Sequence, residues 1–302
     1  MAFPFLKHMS NTLFVGKVYH RFDELPSTND WAAKLVALSD VSSPLNGLEG
    51  SAKTKPPEGT VVRAANQTAG RGQLGSKWHS APEENLLLSI ILYPTWLEAQ
   101  AQFYLSMAVA LSLRDVVVGL GMGGEDKIPS NAVPSTHIKW PNDIYIDNKK
   151  TAGILIQNAI SGSSLQSAIV GIGLNVNQLE FPQELPNATS LALAFGQNRE
   201  ADLTTFKKLS NLAKLDLDKI ADRLFECLER RYLQLKAGHR AEIKAEYEEN
   251  LWRRGKTSRF VRSADGLEFE GIIVGVTERG LLQVKTGEGR EEFEVKQIGF
   301  LV

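Results

Sequence analysis

The sequence predicts an α+β fold in which a mixed β-sheet with helices is followed by a small all-β barrel. Three observations carry that prediction. Residues 85–93 read NLLLSIILY, a continuous apolar run of the kind found in strands buried on both faces. Ile220, Leu224, Leu228, Tyr232 and Leu235 fall at helical spacing. The last stretch, from about residue 253, breaks into about five short strand-like runs separated by ADG, ERG and GEG turn signals.

The elements follow in order. VYHRFDEL (18–25) reads as a strand that leads into a helix over PSTNDWAAKLVAL. Ser27, Thr28 and Asn29 are capping-type residues there, and Trp31, Leu35 and Leu38 share one face. The segment 39–58 is polar and rich in Gly, Pro and Ser, so it reads as a long mobile loop or insertion. TVVRAANQ (60–67) is a strand, followed by a Gly-rich loop through residue 84. Residues 98–118 are helical, and 119–136 form a second insertion-like loop. HIKWPNDIYID gives two short strands around a Pro-Asn-Asp corner, and KKTAGILIQNAI and LQSAIVGIGLNVN form a pair of strands. Residues 204–237 and the charged run HRAEIKAEYEENLW are helical. The expected boundary divides the chain into 1–252 and 253–302.

Composition narrows the function. The 302 residues are 43% hydrophobic, and 34 Lys+Arg against 35 Asp+Glu leave a formal net charge of -1. A core large enough for one big and one small domain is available, and no basic nucleic-acid footprint is present. The one cysteine, Cys227, excludes an internal disulfide and reads as a small core residue. The histidines (His8, His20, His79, His137, His239) have no metal-ligand spacing, so no metal site is expected. No stretch reads as the roughly 18 apolar residues of a membrane helix, and Lys7 and His8 interrupt the apolar start. The expectation is a cytoplasmic protein with no membrane partner.

Four segments could carry chemistry. In Gly70-Arg71-Gly72-Gln73-Leu74-Gly75-Ser76-Lys77-Trp78, glycines let backbone N–H groups approach anionic oxygens, and Arg71 can grip a carboxylate or phosphate with two parallel bonds. The loop lacks the terminal Gly-Lys-Ser/Thr of a P-loop. In Lys139-Trp140-Pro141-Asn142-Asp143, the proline fixes a corner with two polar residues at a strand end. Lys150 precedes the apolar strand GILI and can point into a cleft. GIGLNVN (171–177) lacks the third glycine of a dinucleotide fingerprint, but its glycines would let a ligand lie flat on the strand. GLGMGG (119–124) follows a helix, the wrong polarity for phosphate capture. Taken singly, each of the four also fits an ordinary turn, loop or packed strand.

Their order is more specific than any member. STND, GRGQLGSKW, KWPNDIYI, KTAGILIQ and GIGLNVN, in that order, resemble the biotin–protein ligase family, in its form without an N-terminal DNA-binding domain. The resemblance implies a sheet core related to class II synthetases and a C-terminal SH3-like barrel. It implies an ATP-dependent ligase that makes biotinyl-5′-AMP and passes biotin to a lysine of a biotin carboxyl carrier protein of acetyl-CoA carboxylase, with Mg2+ accompanying ATP. It assigns Ser27, Thr28, Asn29 and Gln67 to the biotin ring, with Gly70, Arg71, Gly72, Gln73 and Lys150 about the carboxylate. Arg71, Trp78, Lys139, Asn142 and Asn175 fall to the nucleotide, and Asp143 to the incoming amine or the magnesium. Arg71, Lys150 and Asp143 become the catalytic set.

One departure stands out: the family loop often has Arg where this chain has Gln73, which keeps hydrogen bonding and loses a charge. About twenty residues precede the first matched strand, so no helix-turn-helix and no DNA binding are expected. A monomer or a homodimer fits equally. Two other readings stay open at this point: a lipoate or octanoate ligase on the same scaffold, and a non-catalytic biotin-binding regulator.

Overall fold

The computed structural model describes residues 11–40, 54–121, 134–196 and 214–301. Most of the two insertions expected at 39–58 and 119–136, and residues 204–213 of the expected helical stretch, lie outside them.

A seven-stranded sheet forms the body. Its strands are β1 (Tyr19–Leu25), β2 (Thr60–Gln67), β3 (Asn85–Leu92), β4 (Thr136–Lys139), β5 (Asp143–Ile146), β6 (Lys149–Ser161) and β7 (Ser164–Asn175), in the order β1-β2-β3-β7-β6-β5-β4. Only β1 and β2 run parallel; the other neighbours are antiparallel. All eight residues of β3 are buried, as its unbroken apolar run requires. Its even positions face one core with Leu86, Leu88, Ile90 and Leu92, while Ile91 faces a second with Val62, Ala64 and Ile169. Strict alternation therefore feeds two layers at once.

Helix α1 (Thr28–Asp40) covers the second face through Ala32, Trp31 and Leu35. The larger face is covered by α2 (Phe103–Gly121), α4 (Leu217–Lys236) and α5 (Arg240–Glu249); a short α3 (Leu191–Gly196) adds Leu191, Ala194 and Phe195. Asp216 caps α4 by accepting from the N–H groups of Asp218 (2.8 Å) and Lys219 (3.2 Å). The expected stripe from Ile220 to Leu235 is buried, and Cys227 is a buried free thiol of the core. Arg231 ties three helices: it donates to Asp115 of α2 (2.9 Å) and to Glu246 of α5 (2.5 Å).

The helical stretch Ala99–Leu120 is long and apolar enough, by length and composition alone, to cross a membrane. Most of it is buried inside the fold, because a helix apolar on all sides can also sit between a sheet and other helices.

The C-terminal part is a second, antiparallel sheet of β8 (Thr257–Arg262), β9 (Glu268–Val276), β10 (Leu282–Thr286), β11 (Gly289–Phe293) and β12 (Ile298–Phe300), ordered β11-β10-β9-β8-β12. It is docked on the body. Trp140 Nε1 donates to the Gly280 carbonyl (2.8 Å), Val276 N donates to Glu248 (2.9 Å), and Phe260, Leu282 and Phe293 continue the main core. Residues 250–252 run along the edge strand β4, with Ile138 N bonded to Asn250 O and Trp252 N to Ile138 O, both at 2.9 Å. That edge is thereby covered.

Arg63 on β2 is buried and pairs with Asp218 at the start of α4, which Arg21 also reaches. Burial opposes the charged carboxylate, but the two arginines outweigh it and hold the Asp218 pKa below its ordinary value of 3.8. A depressed carboxyl pKa gives stability that is present above the ordinary value and lost as pH falls through the folded one. Asp218→Asn is expected to lower the melting temperature at pH 7, and the deficit should close as pH falls below about 3.8. Calorimetry across that window checks it; a deficit independent of pH would contradict the pairing.

Candidate functional site

A cleft of about 350 Å³ opens where α1, the Gly-rich loop, the β4–β5 corner, the β6–β7 ladder and the C-terminal sheet meet. Its floor is bare backbone. Gly153 on β6 lies opposite Gly173 on β7 in the ladder register. A Cβ on Gly173 would stand 2.4 Å from Trp78 Cε2, and one on Gly153 would stand 2.9 Å from Trp78 Cζ3. The indole lies flat on this glycine platform because no side chain rises between them. Trp78 Nε1 is buried there with no hydrogen-bond partner.

Behind the floor runs a polar chain that starts in the first turn of α1. Thr28 N donates to Gln67 Oε1 (2.8 Å), and Ser89 Oγ donates to Asn29 Oδ1 (2.5 Å). Thr28 Oγ1 lies 2.8 Å from Ser89 Oγ and 3.1 Å from Gln67 Oε1 and gives its one proton to one of them. Asn29 Nδ2 reaches Gln157 Oε1 (3.0 Å). A Cβ on Gly171 would stand 2.1 Å from Asn29 Oδ1, so that glycine admits the carboxamide. Thr28 and Asn29 are thus locked by neighbours before any ligand arrives.

Lys150 owes its aim to a bulge. Gly153 and Leu155 border the cleft, whereas Ala152 belongs to the core, as does Ile154, which also reaches the cleft. Strict pleating would send residue 150 to the core with 152 and 154. Instead β5 pairs Ile144 with Ala152 and Tyr145 with Lys150, leaving Thr151 as the extra residue. The bulge turns Lys150 into the cleft. The segment after β7 then pins it: Lys150 N donates to Asn187 O (2.6 Å) and Thr189 N to Lys150 O (2.8 Å). Lys150 Nζ sits 2.7 Å from Asp143 and 5.7 Å from the Trp78 ring centre. Thr151 is fully buried and its hydroxyl has no partner.

The Gly-rich loop folds back on itself. Trp78 N donates to Gly70 O (3.0 Å) and Gly72 N to Ser76 O (2.7 Å), around a single 3-10 turn at Gln73–Gly75. Arg71 borders the cleft and pairs with Asp30 in the first turn of α1. Lys139 Nζ donates to the Tyr145 hydroxyl (3.1 Å) and faces the Phe300 ring at 5.1 Å. Burial, helped by Lys150 and Arg253, lowers the Lys139 pKa against the pull of Asp143.

Of the predicted site residues, Ser27, Thr28, Asn29, Gln67, Arg71, Gly72, Gln73, Trp78, Lys139, Asn142, Asp143 and Lys150 all border this one cleft. Asn142 is committed to structure as well, donating through its amide to the Ile154 carbonyl. Gly70 and Asn175 do not border it. Gly70 is buried at the neck of the loop, where a Cβ would stand 2.6 Å from the Trp78 carbonyl oxygen. Asn175 is buried, donates to Thr189 O (2.9 Å), and leaves Oδ1 unpaired. Sequence reasoning missed Ser89, the one polar residue in the apolar run Leu86–Leu92 of β3, whose isolation there was a usable signal. It also missed Asp30, Lys77 and Lys296. Among the described residues no group of three or more His, Cys, Asp or Glu could hold a metal.

A model of the Biotin/lipoate A/B protein ligase family matches residues 41–175, and one of the Biotin protein ligase C terminal domain matches residues 261–296. The chain is 36% identical over 242 residues to the Bifunctional ligase/repressor BirA of Bacillus subtilis, covering 79% of this chain and 65% of that protein. It therefore spans just under two thirds of the length of that relative. It is 31% identical to the Biotin--[acetyl-CoA-carboxylase] ligase of Mycobacterium tuberculosis, covering 76% of this chain and 74% of that protein. In fold it is similar to the Biotin protein ligase from Aquifex aeolicus in complex with biotin and ATP, with a TM-score of 0.66 at 24% identity over 94% of this chain and 99% of that one.

Two outcomes check the local geometry. Thr151→Val keeps the shape and removes the stranded hydroxyl, so urea unfolding should show a gain of about 1 kcal/mol; a loss would mean the hydroxyl has a partner. Gly173→Ala should lift Trp78 off the platform and make more of the tryptophan fluorescence quenchable by acrylamide, with the far-UV circular dichroism unchanged.

Proposed function

The chain belongs to the biotin/lipoate A/B protein ligase family, and from that premise we propose that its cleft joins biotin to ATP and passes the biotinyl group to a lysine on a carrier protein. The observation that carries this is the convergence of Arg71 and Lys150 on the rim of one glycine-floored cleft whose far wall is a preset chain of donors and acceptors.

In the first step a biotin carboxylate oxygen attacks the α-phosphorus of ATP. The bond from that phosphorus to the bridging oxygen breaks, pyrophosphate leaves, and a mixed anhydride remains. Negative charge builds on the phosphoryl oxygens, where Lys150 and Arg71 lower its energy. In the second step a neutral lysine amine attacks the acyl carbon, AMP leaves, and the amine loses a proton. Asp143, the one carboxylate bordering the cleft among the described residues, is the group able to orient that amine.

Ser27, Thr28, Asn29 and Gln67 supply the donors and acceptors a ureido ring needs. Trp78, Lys139, Asn142 and Asn175 serve the nucleotide. Magnesium would enter on the ATP phosphates with Asp143 as its protein ligand, a carboxylate count usual for that ion; bound there, it would neutralise phosphate charge.

The resemblance extends to the carrier, a biotin carboxyl carrier protein, and to the division of the chain near residue 252. We assign the protein to the cytoplasm on the same reading.

The test is pyrophosphate release with ATP, magnesium and biotin, followed by transfer to a carrier domain. Release with biotin and none with lipoate is expected; the reverse, or biotin binding with no release, would sink the proposal. Lys150→Ala and Arg71→Ala should each slow adenylate formation about a hundredfold, the loss typical when a charge-stabilising donor is removed. Near-parental rates in both would refute their roles.

A further inference from the structure

One hydroxyl stands alone in the apolar run of β3. Ser89 is fully buried, and its neighbours from Leu86 to Leu92 are all apolar. Burying a hydroxyl costs free energy unless it is bonded. The sheet register shows what this one meets. Ser89 lies opposite Gly171 of β7, and Gly171 lies opposite Leu155 of β6, so a glycine sits between serine and leucine in one row across three strands. Asn29, from the first turn of α1, lies across that row. Its Oδ1 accepts from Ser89 Oγ (2.5 Å), its Nδ2 donates to Leu155 O (3.3 Å), and a Cβ on Gly171 would stand 2.1 Å from its Oδ1.

The row fixes the direction of its protons. The Leu155 carbonyl can only accept, so the Asn29 amide nitrogen faces it and Asn29 Oδ1 faces Ser89. That oxygen can only accept in turn, so it takes the single Ser89 proton. Ser89 is left with lone pairs to offer Thr28 Oγ1 at 2.8 Å. On the other side, the Thr28 N–H can only donate, which fixes Gln67 Oε1 as an acceptor, 3.1 Å from Thr28 Oγ1. Both neighbours of the Thr28 hydroxyl therefore accept, and its one proton is used inside the wall. A ligand that reaches Thr28 Oγ1 meets lone pairs alone.

We infer that Ser89 is a positioning residue: anchored through Asn29, it draws the Thr28 proton inward and presents Thr28 to the ligand as a hydrogen-bond acceptor, the form that a ring N–H of a ureido group requires. The inference rests on the biotin reading of the cleft. Thr28 borders the cleft and Ser89 does not, so Ser89 acts through Thr28. Without the Ser89 oxygen, the Thr28 hydroxyl has one internal acceptor instead of two. Its proton is then freer to turn towards the cleft, where it opposes a ring N–H.

The test measures biotin binding by titration calorimetry on the full chain, then adenylate formation. Ser89→Ala should bind biotin about tenfold more weakly, the loss expected when a buried hydrogen bond is removed and its partner is left unpaired. In turnover the loss should appear as a raised KM for biotin, with the KM for ATP and the kcat at saturating biotin near parental, because the ring end is held alike in ground and transition states. Thr28→Val removes the hydroxyl through which Ser89 acts, so adding Ser89→Ala to it should weaken binding by less than about twofold more. Ser89→Cys, close in shape but a weak hydrogen-bonding group, carries the same expectation should the alanine variant fail to fold. Biotin binding near parental in a folded Ser89→Ala would overturn the inference, as would a full loss that persists on the Thr28→Val background. No biotin binding by the parent would overturn the biotin reading itself, and the inference with it.

Discussion

The cleft depends on one constraint, the nakedness of the ladder between β6 and β7. Gly153 and Gly173 meet in register, so the sheet there has no side chains on one face. Everything placed around the site refers to that surface: the Trp78 indole lies on it, Lys150 reaches across it, and Asn29 fills the space left by Gly171. A single methyl on either glycine of the pair would enter the van der Waals space of the indole. Strands this central are normally filled by β-branched residues, which pack well on a pleated surface. Glycine weakens a strand, and here the lost packing is offset by burial of both sheet faces elsewhere along β3 and β7.

Much of this was legible in the chain. The strand limits of β2, the doubly buried β3, the hairpin around Pro141 and the five terminal strands all follow from patterns a few residues long. Apolar periodicity and turn residues act locally, so a linear reading recovers them. The glycines of GIGLNVN were readable for the same reason, because their meaning as a flat strand surface needs only the strand itself. Ser89 sits at the margin of legibility: its isolation is visible in NLLLSIILY, but its purpose appears only when Thr28 and Asn29 are folded over it.

What the sequence hid is non-local. Lys150 and Gly153 are an odd number of residues apart and yet share a face, which period-two reasoning forbids. The bulge at Thr151 resolves this, and a bulge is set by pairing with β5 and by the segment at 187–189, neither of which is adjacent in sequence. Asn175 shows the same limit from the other side. Its place at the end of β7 resembles a ligand contact in sequence, but its amide is turned to the Thr189 carbonyl, and Thr189 in turn holds Lys150. Its position near the chemistry thus also serves the backbone that aims the lysine.

The two sheets are connected through this same geometry. Lys139 leaves β4 beside the corner that carries Asp143 and ends against Phe300, while Trp140 next to it bonds to Gly280. The corner is therefore fixed from both directions, by Tyr247 bonding to Pro141 O (3.0 Å) and by the C-terminal sheet. An ammonium enclosed by rings and by other cations is more costly to keep charged, which is the sense of the lowered Lys139 pKa. The docked sheet holds Lys139 in this setting through Phe300.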